Sequence, residues 1–175
     1  MKNNFFILGH SGSGTSLLRG LLNAHSRIEC GFEIWGGIES WTKSAKDCKQ
    51  IWGNKQPLQK MWSHGMQHAD IKELIDHFLI IWIVRRYDKW KKNQKAAYAI
   101  ENWEKGRKLY WAIRNHKPSG IMEISFEDLL LRPEPELRRV CAFLHIRYER
   151  RMLREGVNDT GHKQYNYGQI MLDRI

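Results

Sequence analysis

Phe5-Phe6-Ile7-Leu8-Gly9-His10-Ser11-Gly12-Ser13-Gly14-Thr15-Ser16-Leu17-Leu18 is the stretch that decides the fold. An apolar run ends at a glycine, small residues follow, and an amphipathic segment begins, which predicts a strand, a tight loop and a helix. Gly9, Gly12 and Gly14 allow the backbone to turn sharply and to come close to a ligand. The backbone amides of residues 12–16 then converge at the N-terminal end of the helix, where they can hold a phosphate group.

The loop resembles a Walker A motif with one replacement. Gly9 and Gly14 have the required spacing and Ser16 takes the final Ser/Thr position, but Thr15 stands where the motif has lysine. Because nucleoside triphosphatases need that lysine on the β- and γ-phosphates, the loop is predicted to bind phosphate without hydrolysing ATP or GTP. A P-loop kinase is disfavoured for the same reason. The alternative interpretation is an ordinary Gly/Ser turn between a strand and a helix.

Composition and charge set wider limits. The 175 residues are 42% hydrophobic and 27% charged, which predicts one globular domain over residues 1–175, with a polar, weakly patterned tail at about 155–175. The net charge of +10 suits an acidic ligand such as a nucleotide, a sulfated glycan or nucleic acid. The charge alone does not choose among these ligands.

The cysteines and the apolar runs bear on the cellular compartment. Cys30, Cys48 and Cys141 have neither the pairing of a disulfide framework nor the spacing of metal ligands, which predicts a reducing compartment and no metal site. The longest apolar run, residues 78–84, is too short to span a bilayer, and too few residues precede the first strand for a signal peptide. We therefore expect a cytoplasmic protein.

Three stretches follow the loop and its helix. Residues 28–30 indicate a short second strand. Residues 35–62 are broken repeatedly by glycine, asparagine and proline, which predicts short helices and loops that cover a site. Residues 70–78 predict a short helix that opens on a capping box formed by Asp70 and Glu73.

The apolar run Leu79–Val84 is rich in β-branched residues and shows no polar alternation. A strand buried on both faces has this composition, and it implies a parallel sheet with helices on both sides. Arg85 and Arg86 follow at its carboxyl end, where open α/β sheets bind their ligands. Residues 88–115 predict one or two helices, and residues 121–124 a further strand.

The last patterned segment combines a cap with a helix. Ser125 and Asp128 predict a second capping box. Pro133 opens a helix with one apolar face, formed by Leu137, Val140, Cys141 and Leu144. The chain as a whole predicts a three-layer α/β domain, in which a central parallel β-sheet is flanked by helices.

Five motifs, in order, resemble the sulfotransferases that use 3′-phosphoadenosine 5′-phosphosulfate (PAPS). They are the phosphate loop, helix and acidic turn within 14–33, the lysine–proline motif at 53–57, the strand end at 83–85, the acidic turn at 123–129, and the closing helix at 138–144. The first motif is similar to that of tyrosylprotein sulfotransferases. The resemblance covers roughly residues 5–153. It implies a P-loop NTPase-like sulfotransferase fold and transfer of a sulfonyl group from PAPS to a hydroxyl of a carbohydrate, a tyrosine or a small molecule.

The resemblance also implies roles for the residues at these motifs. The backbone of Gly12, Ser13, Gly14, Thr15 and Ser16 would hold the phosphosulfate. Lys55 would supply positive charge to the bridging oxygen as the phosphate leaves, and Glu33 would take the proton of the acceptor hydroxyl.

Further assignments concern the other end of the nucleotide and a second candidate base. Arg85 would bind the 3′-phosphate, assisted by Asn93 at the position where the family has a serine. His10 is a further candidate catalytic residue, because some cytosolic sulfotransferases use a histidine base. The alternative is that His10 faces the phosphosulfate or the backbone of its own loop.

Each assignment has a simpler alternative. Glu33 could be a solvated or helix-capping carboxylate, Lys55 a surface lysine, and Arg85 a marker of the point where a buried strand emerges. The sequence also departs from the family. Gly12 stands where the loop usually has arginine, Arg86 where aspartate is common, and no Gly-rich basic segment follows residue 153 unless 161–168 serves.

These departures keep a second functional class open, namely a degenerate nucleotide-binding protein without catalysis. A nucleic-acid-binding module, suggested by the charge alone, predicts binding that falls steeply with salt and does not depend on PAPS. The acceptor and the oligomeric state do not follow from the sequence.

Overall fold

The computed structural model describes residues 3–66, 68–92 and 96–156. Its centre is a five-stranded parallel sheet with the spatial order β2-β3-β1-β4-β5. The strands are β1 (Phe5–Gly9), β2 (Ile28–Phe32), β3 (Ile51–Pro57), β4 (Leu79–Val84) and β5 (Ile121–Ser125). The middle strand, β1, ends directly at the predicted phosphate loop.

Helices cover both faces of the sheet. They are α1 (Thr15–Asn23), α2 (Ile38–Asp47), α3 (Leu58–Ser63), α4 (His68–His77), α5 (Tyr87–Lys91), α6 (Ala96–His116), α7 (Phe126–Leu131), α8 (Pro133–Phe143) and α9 (Arg151–Glu155), with a 3-10 turn at Pro118–Gly120. Buried side chains of α1, α7, α8 and α9 form one core with the sheet, and those of α2, α3, α4 and α6 form the other. The predicted three-layer α/β fold is confirmed.

The central strands show why the apolar pattern is continuous. In β1, Phe5 and Ile7 belong to one core, while Phe6 and Leu8 belong to the other. A strand that is covered on both faces needs apolar side chains at every position. The same reason confirms β4 over Leu79–Val84, as the sequence predicts.

For residues 35–62 the predicted short helices are present as α2 and α3, but the absence of a strand is wrong. The segment contains the ten-residue helix α2 and the seven-residue strand β3. Every residue of β3 is buried, and the strand lies between β2 and β1. Gly53 is needed there, because a Cβ atom would lie 2.4 Å from Cζ of Phe5. Asn54 and Gln56 are polar but fully buried. Glycine, asparagine and proline are rare in strands, so the composition conceals this one.

Smaller corrections concern the ends of elements. Helix α4 begins at His68, so Asp70 lies in its first turn and is not the N-cap that the sequence predicts. The second capping position is confirmed, since Oγ of Ser125 accepts a hydrogen bond from the backbone N–H of Asp128 at 3.2 Å. Strand β2 extends two residues past Cys30, to Phe32.

Candidate active site

The predicted phosphate loop joins β1 to α1 and turns through two glycines in the left-handed region. Gly12 has φ 81° and Gly14 has φ 98°, conformations that favour glycine. A Cβ atom on Gly14 would also lie 2.2 Å from Cδ2 of Phe126. Helix α1 starts at Thr15 and has no side-chain cap, so the N–H groups of its first turn can bind an anion.

Ser13 lies at the centre of the loop and is fully buried. Its backbone N–H donates a hydrogen bond to the carbonyl oxygen of His10 at 2.9 Å, which closes the turn. Its side-chain Oγ is buried and has no hydrogen-bond partner among the described residues. An unpaired buried hydroxyl costs free energy, because it has lost its hydrogen bonds to water.

The side chain of His10 lies inside a cluster of tryptophans, and only 4% of the residue is exposed. Its ring stacks on Trp103 at a centroid distance of 5.2 Å and packs against Trp90 at 5.0 Å. Gly106 of α6 is so close that a Cβ atom would lie 2.4 Å from Nε2 of the histidine. Burial lowers the pKa of His10 to about 4, so the ring is neutral at pH 7. This position gives His10 a packing role, and a catalytic role stays a prediction.

Two hydrogen bonds hold the outer side of the loop. The backbone N–H of Ser11 donates to Oε1 of Gln59 at 2.7 Å, and the carbonyl oxygen of Ser11 accepts from Nε1 of Trp90 at 2.9 Å. The loop is thereby attached to α3 and α5 as well as to its own strand and helix. Nothing in the sequence spacing indicates these two partners.

Glu33 and Lys55 meet at the carboxyl edge of the sheet. Glu33 follows β2 with φ 54°, and its backbone N–H donates to the carbonyl oxygen of Lys55 at 3.0 Å. Nζ of Lys55 donates to Oε1 of Glu33 at 2.5 Å, and Nζ of Lys60 contacts Oε2. The exposed fractions of the side chains are 2% for Lys55 and 9% for Glu33. The alternatives of a solvated carboxylate and a surface lysine are therefore wrong.

The charges in this cluster control its protonation. Burial favours the neutral acid, but hydrogen bonds and charges from Lys55 and Lys60 outweigh it and hold the pKa of Glu33 below its ordinary value. Burial lowers the pKa of Lys55, and Glu33 only partly opposes this effect, while Lys60 and Arg19 add to it. The ammonium of Lys55 also lies 4.0 Å from the ring centroid of Phe32, a favourable cation–π contact.

The peptide that follows Glu33 is held by buried polar side chains. The carbonyl oxygen of Ile34 accepts hydrogen bonds from Nε1 of Trp41, Nδ2 of Asn54 and Nε2 of Gln56, at 3.0, 2.9 and 2.8 Å. The backbone N–H of Ile34 donates to Oδ1 of Asn54 at 3.1 Å. These bonds explain the polar residues inside β3, because they fix the backbone that carries Glu33.

Arg85 leaves β4 next to the phosphate loop. Its Nη1 donates to the carbonyl oxygen of Gly12, and its guanidinium carbon lies 4.8 Å from the ring centroid of Phe126. Nε is buried and has no hydrogen-bond partner within the described ranges. Arg86 is exposed instead, and its Nε lies 3.3 Å from Oδ1 of Asp88. Asn93, the expected assistant of Arg85, lies outside the described residues, as does the tail from residue 157.

The described residues bear on two further properties, metal binding and membrane insertion. In ranges 3–66, 68–92 and 96–156, no group of three or more His, Cys, Asp or Glu side chains is arranged to hold a metal ion. Across the same part of the chain, no helix has both the length and the apolar character needed to cross a membrane.

Comparison with known proteins identifies the fold. A sulfotransferase domain from the curacin biosynthetic pathway matches with a TM-score of 0.62 and 17% identity, over 96% of this chain and 82% of that one. A sulfotransferase domain from the Synechococcus PCC 7002 olefin synthase matches with a TM-score of 0.62 and 16% identity, over 87% of this chain and 78% of that one. A mouse sulfotransferase complexed with PAP matches with a TM-score of 0.61 and 16% identity, over 100% of this chain and 64% of that one. At such identities the likeness shows the fold alone.

The family of the chain follows from its sequence. No curated protein sequence matches the chain. The family model described as "Sulfotransferase family" matches residues 41–150, which is more than half of the 175 residues. This match includes Lys55, Arg85 and strands β3, β4 and β5. The chain belongs to the sulfotransferase family.

Proposed function

We propose that this protein transfers a sulfonyl group from PAPS to a hydroxyl of a carbohydrate, a tyrosine or a small molecule. The observation that carries the proposal is the buried contact between Glu33 and Lys55, with 2.5 Å between Oε1 and Nζ, at the sheet edge where the phosphate loop begins. A carboxylate and an ammonium beside an anion site are the two groups that this reaction needs.

The residues around the loop fit PAPS. Gly12 and Gly14 shape the backbone for an anion, and the N-terminus of α1 adds its amides and its positive dipole end. Arg85 is partly exposed, and its guanidinium charge lies beside the loop, which suits the 3′-phosphate. A net charge of +10 favours the binding of PAPS, whose phosphate groups are negatively charged.

The chemistry divides between the two buried groups. PAPS supplies the sulfonyl group, since the bond from sulfur to the 5′-phosphate breaks as the acceptor oxygen bonds to sulfur, and 3′,5′-adenosine bisphosphate (PAP) is released. Lys55 stabilises the negative charge on the departing phosphate oxygen. Glu33 takes the proton of the acceptor hydroxyl, and its lowered pKa keeps it ionised at neutral pH.

The missing loop arginine at Gly12 favours a second candidate, a nucleotide-binding protein of the same fold that does not catalyse transfer. His10 does not replace that cation, because its lowered pKa leaves it neutral at pH 7. Lys60 does bring a second positive charge to the cluster, through its contact with Glu33. The buried contact between Glu33 and Lys55 remains our reason to place the catalytic interpretation first. We further propose the cytoplasm as the compartment, since Cys30, Cys48 and Cys141 are free thiols.

The test is calorimetric titration with PAP and with ADP, followed by transfer of radiolabelled sulfonate from PAPS to a panel of hydroxyl acceptors. The proposal predicts that PAP binds far more tightly than ADP and that at least one acceptor is sulfonated. Binding of PAP without any transfer would favour the non-catalytic candidate. If neither nucleotide binds, and binding to DNA or RNA falls steeply with salt, the protein is a nucleic-acid-binding module instead.

A further inference from the structure

Lys60 completes a three-residue cluster with Glu33 and Lys55. It lies in the first turn of α3. This helix begins directly after Pro57, the last residue of β3. Its ammonium contacts Oε2 of Glu33, while Lys55 contacts Oε1, so each carboxylate oxygen has its own cation. The side chain of Lys60 is 55% exposed, whereas that of Lys55 is 2% exposed.

The proposed reaction gives Lys55 two incompatible duties. It neutralises Glu33 in this structure, and it must also carry positive charge to the departing phosphate oxygen. If Lys55 were the sole cation near the carboxylate, its movement to the nucleotide would leave a nearly buried carboxylate uncompensated. Such a group tends to take up a proton, and a protonated acid cannot serve as a base.

We propose that Lys60 is a positioning residue that keeps Glu33 ionised and thereby leaves Lys55 free to engage the nucleotide. This inference rests on the proposed sulfonyl transfer. Lys60 suits the role because it contacts the carboxylate oxygen that Lys55 does not contact, and because its exposed ammonium stays mostly hydrated. In the described part of the chain, Lys55 on β3 and Lys60 on α3 are the charged groups that face Glu33, and Arg19 on α1 adds charge near Lys55.

Helix α3 also places Lys60 relative to the phosphate loop. The neighbouring residue, Gln59, accepts the hydrogen bond from the backbone N–H of Ser11 at 2.7 Å. Leu58, at the start of the helix, is fully buried in the core. Helix α3 thus contacts both the phosphate loop and the proposed base. The position of Lys60 beside Glu33 is therefore coupled to the position of the loop.

The experiment uses Lys60→Met and Lys60→Arg, with Lys72→Met as a matched control that removes an exposed lysine of α4. The first measurement is the pKa of Glu33 in the nucleotide-free protein, from the pH dependence of its side-chain carboxyl carbon shift in NMR. We expect Lys60→Met to raise this pKa, Lys60→Arg to restore it, and Lys72→Met to leave it unchanged. The acid limb of the pH profile of kcat/KM should move in the same direction.

A second measurement tests the release of Lys55. Lys60→Met should weaken PAP binding about threefold, the size expected when a partly exposed ion pair is lost. The loss should disappear when Glu33→Gln is present in the same chain, since a neutral amide no longer holds Lys55. An equal loss in both backgrounds would show that Lys60 contacts the nucleotide directly and would overturn the proposal.

The NMR result separates this inference from the proposed function. An unchanged pKa of Glu33 in Lys60→Met overturns the role of Lys60, even if the enzyme is active. A raised pKa in a protein that sulfonates no acceptor supports the coupling of Lys60 to Glu33 and counts against sulfonyl transfer. Because Lys60 is more than half exposed, we expect all variants at this position to fold.

Discussion

Arg85 donates a hydrogen bond from Nη1 to the carbonyl oxygen of Gly12, at 3.1 Å. The bond joins the end of β4 to the turn of the phosphate loop. The residue that we propose for the 3′-phosphate therefore also helps to shape the site for the 5′-phosphosulfate. In this proposal, both ends of the nucleotide are bound by one connected piece of structure.

Arg85→Ala should abolish the preference for PAP over ADP. Loss of a charge-assisted hydrogen bond costs about 1.5–3 kcal/mol, so we expect PAP affinity to fall by roughly 10- to 100-fold, and ADP affinity to change less. Arg86→Ala is the matched control, because that side chain is 68% exposed and pairs with Asp88. Calorimetric titration provides both affinities. If Arg85→Ala discriminates as well as the parent does, another residue binds the 3′-phosphate.

Glu33→Gln should lower sulfonyl transfer by about 10²- to 10⁴-fold, the usual contribution of a general base. A neutral amide of the same size no longer holds Lys55, which stays free to engage the nucleotide, so PAP affinity should be kept. Glu39→Gln removes an exposed carboxylate in the first turn of α2 and should leave turnover unchanged. Equal turnover in Glu33→Gln and the parent would exclude Glu33 as the base.

Alanine substitutions at three glycines should separate the cost of backbone strain from the cost of steric overlap at Gly14 of the phosphate loop. Gly37→Ala meets no atom within 4 Å and has an extended backbone, so it should cost only the modest loss of a preferred N-cap residue of α2. Gly65→Ala adds the cost of φ 82°, about 1 kcal/mol, without any overlap. Gly14→Ala combines φ 98° with the approach to Phe126, whose ring is covered by Arg85, and should be the most destabilising.

Urea unfolding of the three variants measures these differences in the free energy of unfolding. Gly14→Ala should also lose PAP binding, whereas the other two should retain it. If Gly14→Ala is no less stable than Gly65→Ala, the ring of Phe126 moves aside at little cost, and the close approach is not what requires glycine.

Stability should depend on pH through His10. Its pKa is lowered from 6.5 to about 4 by burial, so the unfolded chain binds this proton more readily than the folded protein. The stabilising contribution is complete above pH 6.5 and is lost as the pH falls toward 4, by about 3 kcal/mol in total. His10→Asn should flatten this part of the stability profile, although it creates a cavity.

His77→Asn, at the exposed end of α4, is the control for the pH profile. It should keep the slope of the parent between pH 6.5 and 4, measured as the free energy of urea unfolding. A parent-like slope in His10→Asn would mean that other groups bind the proton in this range.

The sequence predicts the parts of the fold whose pattern is local. Strands β1 and β4 are covered on both faces, so their composition alone identifies them. Strand β3 escapes prediction because its polar residues make bonds that only the folded chain provides, such as those from Asn54 and Gln56 to Ile34. Gly53 of this strand leaves room for the ring of Phe5, a residue that is distant in the sequence.

The candidate site divides in a similar way. Residues that follow parallel strands meet at one edge, which places Glu33 and Arg85 near the phosphate loop once the topology is known. The burial of His10 depends on Trp90 and Trp103, which come from two different helices, and no spacing rule brings them together. The contact of Lys60 with Glu33 likewise requires the direction in which α3 leaves β3.

The strand order also governs how the protein acquires its fold. Phe5 of β1 pairs with Gly53 on one side and with Leu79 on the other, so neither neighbour of the central strand is close to it in sequence. Two long chain segments must close before the sheet edge exists, and such non-local topologies fold slowly. We therefore expect the anion site to form together with the global structure. Recovery of PAP binding after dilution from denaturant should report complete folding, not an early intermediate.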